Sequence, residues 1–430
     1  MTSNKIPLSP IHRWLEQRTG LSGDALTREA LLDYQLKVLR EQMHYARSRS
    51  RFYAETLRDV DIDSVTSLDA LERLPLCSAA DIAKAPDAFL CVPQRDVARI
   101  TTLFTSGSTG KPKRIFFSEN DLEIMVQFFH WGMSCMADES DTVLILMPSE
   151  TTWSVGDVLK RGLERLGARY VEYGPIRDYT DAVRVLREND ITCMVGIPSQ
   201  VYRLAKLAPE VRPRTVLLSA DYVPISVRKT IETIWGAEVF DHYGLTEAGL
   251  AGGVECHAHE GYHMRDADML FEIIDPETGH RVPDGTMGEV VLSTLNRQAM
   301  PLIRYRTGDR AAFLPGSCPC GAAAARIGKI QGRIRNDLVL PDGDKISIHA
   351  LDEVLYAQPP VLDYTAELTD DGKLILSVLT VEGTFDIKKI ELAVRQTLQL
   401  HCPMEICTGE GFFTKGTFKR EITTKNIGED

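Results

Sequence analysis

Thr105-Ser106-Gly107-Ser108-Thr109-Gly110-Lys111-Pro112-Lys113 is the stretch whose reading decides the rest of the chain. Before it, Ile100 to Phe104 is apolar and β-branched, as in a strand; after it, Arg114-Ile115-Phe116-Phe117 reads as a second strand. Between them lie two glycines, four hydroxyl residues and two lysines. Glycine accepts φ > 0 and lets a ligand approach the backbone closely. Hydroxyls and backbone N–H groups donate to phosphate oxygens, and lysine adds a point charge. The composition points to a polyphosphate. A plain Gly/Ser hairpin turn is the alternative for any such run, but a turn has no use for two lysines and two threonines. The pattern is not the nucleotide P-loop: Gly-Lys-Ser/Thr is missing at the required spacing, and no helix pattern follows at once.

The chain around it has 430 residues, 43% apolar and 26% charged. That is too long for one ordinary core and describes a soluble protein of two or three subdomains. A net charge of −12 argues against a general nucleic-acid binder, while leaving room for a nucleotide held by loops and helix N-termini. No apolar run spans a bilayer, and Met1 to Trp14 has no apolar signal core. Nine cysteines, an odd number, suggest reduced thiols in the cytoplasm, with any clustered ones serving a metal.

Residues 1 to about 95 read as amphipathic helices, for example Arg28 to Tyr53 with Leu31, Leu32, Tyr34, Leu36 and Leu39 at helical spacing. Cys77 and Cys91 in this region read as small buried residues. From 97 to 240 strands and helices alternate: helices at Asp121–Met136, Val155–Gly167, Asp178–Glu188 and Ser226–Trp235, strands at Thr142–Met147, Ala168–Glu172, Ile191–Ile197 and Thr215–Ser219. Alternation of this kind predicts a mostly parallel sheet covered on both faces, with ligands beyond the carboxyl ends of its strands. A short strand, Ala237–Asp241, runs into Asp241-His242-Tyr243-Gly244-Leu245-Thr246-Glu247-Ala248-Gly249, where a ring can stack on a base and a carboxylate can hold a divalent cation. Read alone, that segment is more readily an ordinary loop than a nucleotide site. Antiparallel strands follow at Met269–Ile274 and Gly288–Ser293. Then comes Pro301 to Asp309, whose aspartate either accepts two ribose hydroxyls or closes an Asx turn. From Gly332-Arg333 onward the order β, α, β, β, α, β predicts a separate α+β domain of ordinary size.

Three motifs now stand in order: the 105–113 loop, Tyr243-Gly244-Leu245-Thr246-Glu247, and Tyr305-Arg306-Thr307-Gly308-Asp309. Together they resemble the adenylate-forming superfamily of acyl-CoA synthetases. With Ile197-Pro198-Ser199 and Cys318-Pro319-Cys320-Gly321, the finer resemblance is to the phenylacetate–CoA ligase-like family, from about residue 100 to the C-terminus. The resemblance implies a large N-terminal α/β domain, residues 1–331, with parallel sheets and a β-barrel-like part, and a small mobile α+β domain, residues 332–430. It implies an ATP-dependent carboxylate–CoA ligase: an aryl or other hydrophobic acid attacks the α-phosphorus of magnesium–ATP, and coenzyme A then takes the acyl group. Carried over motif by motif, Thr105, Ser106, Gly107, Ser108, Thr109, Gly110, Lys111 and Lys113 would hold the β- and γ-phosphates. Tyr243 would stack on adenine within a nucleotide site that also draws on Ala220, Asp221, Asp241, His242 and Gly244. Thr246 and Glu247 would approach the α-phosphate and Mg²⁺, Asp309 would bind the ribose, and Arg333 would mark the domain junction. Trp131, Trp153, Ile197, Ser219 to Tyr222 and Tyr243 to Ala248 would line the acid pocket. The implied partners are small molecules, with neither nucleic acid nor membrane, and a homodimer is compatible with them.

A structural zinc site is also expected. Cys318 and Cys320 form a tight thiol pair, and Cys256 is followed by His257, His259 and His263. Two thiolates with one more Cys and a His complete a tetrahedron. The set Cys256, His263, Cys318, Cys320 resembles that of zinc-bearing relatives; His259, at a Cys-x-x-His spacing, is the rival ligand. The chain departs from the family near its end. Relatives carry a catalytic lysine in Gly-Lys-x-Lys-Arg, whereas here Lys415-Gly416-Thr417-Phe418-Lys419-Arg420 puts a threonine in its place. Lys415 and Lys419 are the nearby candidates for that charge. Two other functions therefore stay open: an adenylyltransferase that makes no thioester, and a degenerate member that binds a nucleotide or adenylate without catalysis.

Overall fold

Ser118 and Asp121 show how directly local sequence becomes structure. The Ser118 side chain accepts from the backbone N–H of Asp121 while Asp121 accepts from that of Ser118, a capping box that starts the helix Glu119–Met133. The structure is a computed structural model and describes residues 6–103, 112–332, 338–340, 343, 345–381, 386–409 and 422–425. The chain divides into two units, one of Met1–Ser140, Pro148–Arg169 and His242–Ile330, the other of Asp141–Met147, Tyr170–Asp241 and Gln331–Asp430.

The first unit opens with helices, as the amphipathic N-terminal pattern predicts. Pro10–Thr19 is capped by Ser9 and ends on Gly20 in the left-handed region; the 22-residue helix Arg28–Arg49 is capped by Thr27. The antiparallel pair Arg99–Leu103 and Lys113–Phe117 follows, with Leu103 opposite Lys113 where the 105–113 loop leaves and re-enters. A three-stranded antiparallel sheet, Met269–Ile274, Gly288–Thr294 and Tyr305–Ala311, has a register shift between Glu289 and Val291. The run Pro301–Asp309 is thus half strand, which its motif character conceals. Short strands Gly253–Val254, Tyr262–Met264 and Arg326–Ile327 pair antiparallel with each other and with the end of Glu238–Tyr243. The core joins Leu39, Met43 and Tyr53 of the helices to Phe117, Val290 and Leu292 of the strands and to Leu302 between two of them. Cys77 and Cys91 are buried within it.

The second unit holds the parallel sheet that the alternating pattern predicts. Glu238–Tyr243, Thr215–Leu218, Cys193–Gly196, Thr142–Leu146 and Arg169–Glu172 lie in that order. Gly196 sits where an added Cβ would come within 2.6 Å of Val201 Cγ2, so the strand end and the next helix pack at glycine distance. The C-terminal part of this unit is a four-stranded sheet in the order Met404–Thr408, Leu374–Thr380, Val361–Thr369, Thr423–Lys425, with helices Ile348–Leu355 and Ile387–Leu398. Val361–Thr369 and Leu374–Thr380 form an antiparallel hairpin; the outer strands run parallel to their neighbours. One core joins Val201, Tyr202 and Ala205 to Leu351, Leu355 and Val361. The Tyr202 hydroxyl donates to the carbonyls of Tyr356 (3.2 Å) and Val361 (3.0 Å), and Lys206 Nζ to those of Pro359 (2.7 Å) and Val361 (2.9 Å). Among the described residues, no helix is long and apolar enough to cross a membrane.

Candidate active site

The segment 241–249 leaves the strand Glu238–Tyr243 and turns at once into the short helical turn Thr246–Ala248. Gly244 makes the turn possible: a Cβ there would lie 2.1 Å from the carbonyl oxygen of Leu250 and 2.7 Å from His242 Cε1. The turn brings Glu247 into the protein interior, 7% exposed. There its Oε1 receives an ion pair from Lys113 Nζ and a hydrogen bond from the Tyr305 hydroxyl at 2.7 Å. Lys113 Nζ also donates to that hydroxyl at 3.2 Å. Arg297 Nη1 donates to the Glu247 carbonyl at 2.5 Å. Burial pushes the Glu247 carboxyl up, but the Lys113 charge and the bonds from Lys113 and Tyr305 outweigh it and hold the group below the usual glutamate value. A charged carboxylate is therefore kept ready in a dry place.

Four residues before Glu247, the Tyr243 hydroxyl donates to Asp309 Oδ2 at 2.9 Å, and both residues are buried. The strand Tyr305–Ala311 thus meets the 241–249 segment twice, through Tyr305 at Glu247 and through Asp309 at Tyr243. Three separated motifs converge in one unit: Lys113 from the loop's end, Tyr243 and Glu247 from the turn, Asp309 from the strand. His242 keeps part of its surface exposed, yet burial around the ring pushes its pKa down to about 4, so it is neutral at physiological pH. Thr246 begins the turn and is partly exposed.

Ala220, Asp221 and Asp241 belong to the other unit. Ala220 adopts φ +73°, in the left-handed region, in the loop after Thr215–Leu218. Asp221 Oδ1 accepts from the Tyr222 N–H at 2.9 Å. Tyr222 stacks on His349 with ring centres 4.4 Å apart and donates to Glu353 Oε1 at 2.7 Å. Asp241 is buried at the end of the parallel ladder, opposite Leu218. Thr105, Ser106, Gly107, Ser108, Thr109, Gly110, Lys111, Arg333, Lys415, Thr417 and Lys419 lie outside the described residues.

The thiols of Cys256, Cys318 and Cys320 and the His263 imidazole come together, one donor atom from each within 4.8 Å of the others, all four residues buried. The Cys256 and Cys318 sulfurs are 3.7 Å apart, and Cys320 Sγ is 3.4 Å from His263 Nε2. His263 lies in the strand Tyr262–Met264 opposite Arg326. His259 is not one of these four; its Nδ1 lies 3.3 Å from Glu255 Oε2.

Sequence reasoning passed over Tyr305 and Arg297. Tyr305 stood inside a quoted motif, but its hydroxyl gains meaning only once its strand is placed beside Glu247. Arg297 carried no signal: a lone arginine between a strand and Pro301 reads as surface.

A model of the family described as AMP-binding enzyme matches residues 37–298. The chain belongs to that family. The phenylacetate-coenzyme A ligase of Thermus thermophilus is 28% identical over 405 residues, covering 90% of this chain and 86% of that one. The enzyme of the same name from Pseudomonas putida is 25% identical over 409 residues, covering 91% and 92%. Among solved structures, 2-hydroxyisobutyryl-CoA ligase in its postadenylation state matches with a TM-score of 0.79 at 20% identity, covering 91% of this chain and 89% of that one. This last likeness is one of fold. Within the adenylate-forming superfamily the protein is a phenylacetate–CoA ligase-like member, an AMP-forming acid–CoA ligase acting through an acyl-adenylate.

Proposed function

We propose that the acid this ligase activates is an aryl or other hydrophobic carboxylic acid, with phenylacetate, the acid named for the Thermus and Pseudomonas relatives, as the first candidate. The names of those relatives carry the choice of acid; the observation that carries the adenylating chemistry is the buried meeting of Lys113, Glu247 and Tyr305 beside the Tyr243–Asp309 pair. In the proposed chemistry the acid's carboxylate oxygen attacks the α-phosphorus of ATP and pyrophosphate leaves. Coenzyme A's sulfur then attacks the acyl carbonyl and AMP leaves. Both steps need charge neutralisation and alignment more than covalent help from the protein.

In that scheme Asp309 accepts the ribose hydroxyls while Tyr243, tied to it, lies against the base. His242 and Gly244 flank Tyr243 in the same unit; Ala220, Asp221 and Asp241 are assigned to the nucleotide by the family resemblance alone. Thr246 and Glu247 face the α-phosphate, and residues 105–113 hold the outer phosphates. Glu247, buried and kept ionised, suits Mg²⁺, which takes one or two carboxylates plus phosphate oxygens. The ion's contribution is to neutralise charge developing on the phosphates. Lys415 and Lys419 supply the positive charge that Thr417 cannot, and residues 332–430 act as the small domain, with Arg333 at its junction. The four Cys and His donors fit a structural zinc ion. A tetrahedron with Zn–S bonds of about 2.3 Å has edges near 3.8 Å, and the Cys256–Cys318 separation is 3.7 Å. Four protein ligands leave no open position for substrate. A cytoplasmic location agrees with nine cysteines and no disulfide among the described ones.

A panel of aromatic, branched and fatty acids in a pyrophosphate-release assay tests the substrate class. Release with arylacetic or other hydrophobic acids is expected. Release only with small polar acids contradicts the assignment.

A further inference from the structure

We propose that the Lys113 ammonium acts as an internal cation on Glu247, holding that carboxylate in the nucleotide-free enzyme and yielding it to the metal ion when the metal–nucleotide complex binds. The inference rests on the reading of Glu247 as the Mg²⁺ ligand. Lys113 is the first residue of the strand Lys113–Phe117 and pairs with Leu103, so it stands where the 105–113 loop re-enters the sheet. Its side chain is 8% exposed and that of Glu247 9%. The ammonium and the Tyr305 hydroxyl both reach Oε1 of the carboxylate, and the ammonium also touches the hydroxyl. A carboxylate buried this deeply stays charged only beside a cation. Among the described residues, the ammonium is the cation bonded to the carboxylate, whereas the Arg297 guanidinium bonds the Glu247 backbone carbonyl.

A divalent ion bound to the same carboxylate would lie within a few ångströms of the ammonium, in a medium that screens like charges weakly. The two compete for one carboxylate. Lysine suits an exchange of this kind, because its charge is a compact point on a flexible four-carbon stem. Once displaced, the ammonium remains at the end of the phosphate loop, beside the polyphosphate that displaced it. Tyr305 is then a positioning residue, since its hydroxyl keeps Glu247 Oε1 in place whichever cation is present. The device makes metal binding depend on nucleotide: the free ion alone has to expel a lysine, whereas the nucleotide complex supplies a new partner for it.

The test is titration of Mn²⁺ alone into the nucleotide-free protein, read by the loss of the free-ion electron paramagnetic resonance signal. Wild type and Lys113→Arg should bind weakly. Lys113→Met should bind about tenfold more tightly or better, and adding Glu247→Gln to it should abolish the gain. Lys113→Gln, which keeps a donor towards Tyr305, guards against loss of folding and should show the same tightening. Binding by both neutral variants no tighter than wild type, or a gain that survives Glu247→Gln, overturns the proposal. Mn²⁺·ATP affinity in the Glu247→Gln single variant separates the two claims. Unchanged affinity means Glu247 is not the metal ligand at all; weakened affinity with no gain in the neutral Lys113 variants removes the exchange alone.

Discussion

At the scale of single residues, this protein keeps its buried charges in company. Arg304 is the clearest structural case. It adopts φ +46° and is 1% exposed, with two bonds to Glu272 (3.0 and 3.1 Å) and further bonds to the carbonyls of Glu72, Leu74 and Gly279. Even with Arg304 in place, burial leaves the Glu272 carboxyl above its usual value. Arg304→Met should therefore cost about 3–5 kcal/mol in urea unfolding, because it strands a carboxylate in the interior; a loss under about 1 kcal/mol contradicts the role. His242 gives a pH prediction. Its pKa in the folded protein is pushed down to about 4, so the unfolded chain takes up the proton first as pH falls. Its contribution is complete above the unfolded value of about 6.5 and is lost as pH falls from there to about 4. His242→Gln should flatten the acid side of the stability curve in that window, measured as Tm against pH. The candidate residues that sequence singled out and the structure brings into contact with buried tyrosines are those with pronounced chemistry of their own: Glu247, Asp309, Lys113. Tyr305 was out of reach because its partner lies 58 positions away in the chain.

Among elements, legibility followed length and periodicity. Thr142–Leu146, five buried residues in a row, and Val155–Leu166, closed by Gly167 at φ +80°, lie where the pattern puts them to within a residue or two. The two-residue strand Leu338–Val339 lies where the pattern puts a strand, at Leu338–Leu340, but other strands of two or three residues escaped. Gly253–Val254, Tyr262–Met264 and Arg326–Ile327 are too short to show any alternation, and their pairing with each other and with the end of Glu238–Tyr243 makes them strands. They matter, because that pairing fixes His263 opposite Arg326 and beside the cysteines, while His259 sits in a turn at φ +51°. The choice between the two histidines was thus a question of strand register, which residue spacing does not contain. Metal analysis should find about one zinc per chain. Removing it with a chelator, or by Cys318→Ser, should lower Tm without changing the acid preference. Well under one zinc, or a Tm indifferent to chelation, contradicts a structural metal there.

For the whole molecule, family membership sets the chemistry, and the 241–249 and 305–309 segments bring the candidate residues together. Lys113, Glu247, Tyr305, Tyr243 and Asp309 converge within one unit. The C-terminal sheet shares a core with the parallel-sheet helices of the other. That shared core was not visible in advance, since Tyr202 and Lys206 meet carbonyls about 150 positions further along the chain. The central claim is that this chain makes an acyl-adenylate and passes the acyl group to coenzyme A, with Thr417 at the position where the motif resemblance expects a lysine. One experiment meets it directly: the purified protein with magnesium–ATP and phenylacetate, with and without coenzyme A, quenched and read by mass spectrometry. The account predicts acyl-adenylate and pyrophosphate without coenzyme A, and acyl-CoA with stoichiometric AMP when it is added. Pyrophosphate and adenylate that persist with coenzyme A present, and no thioester, would contradict it.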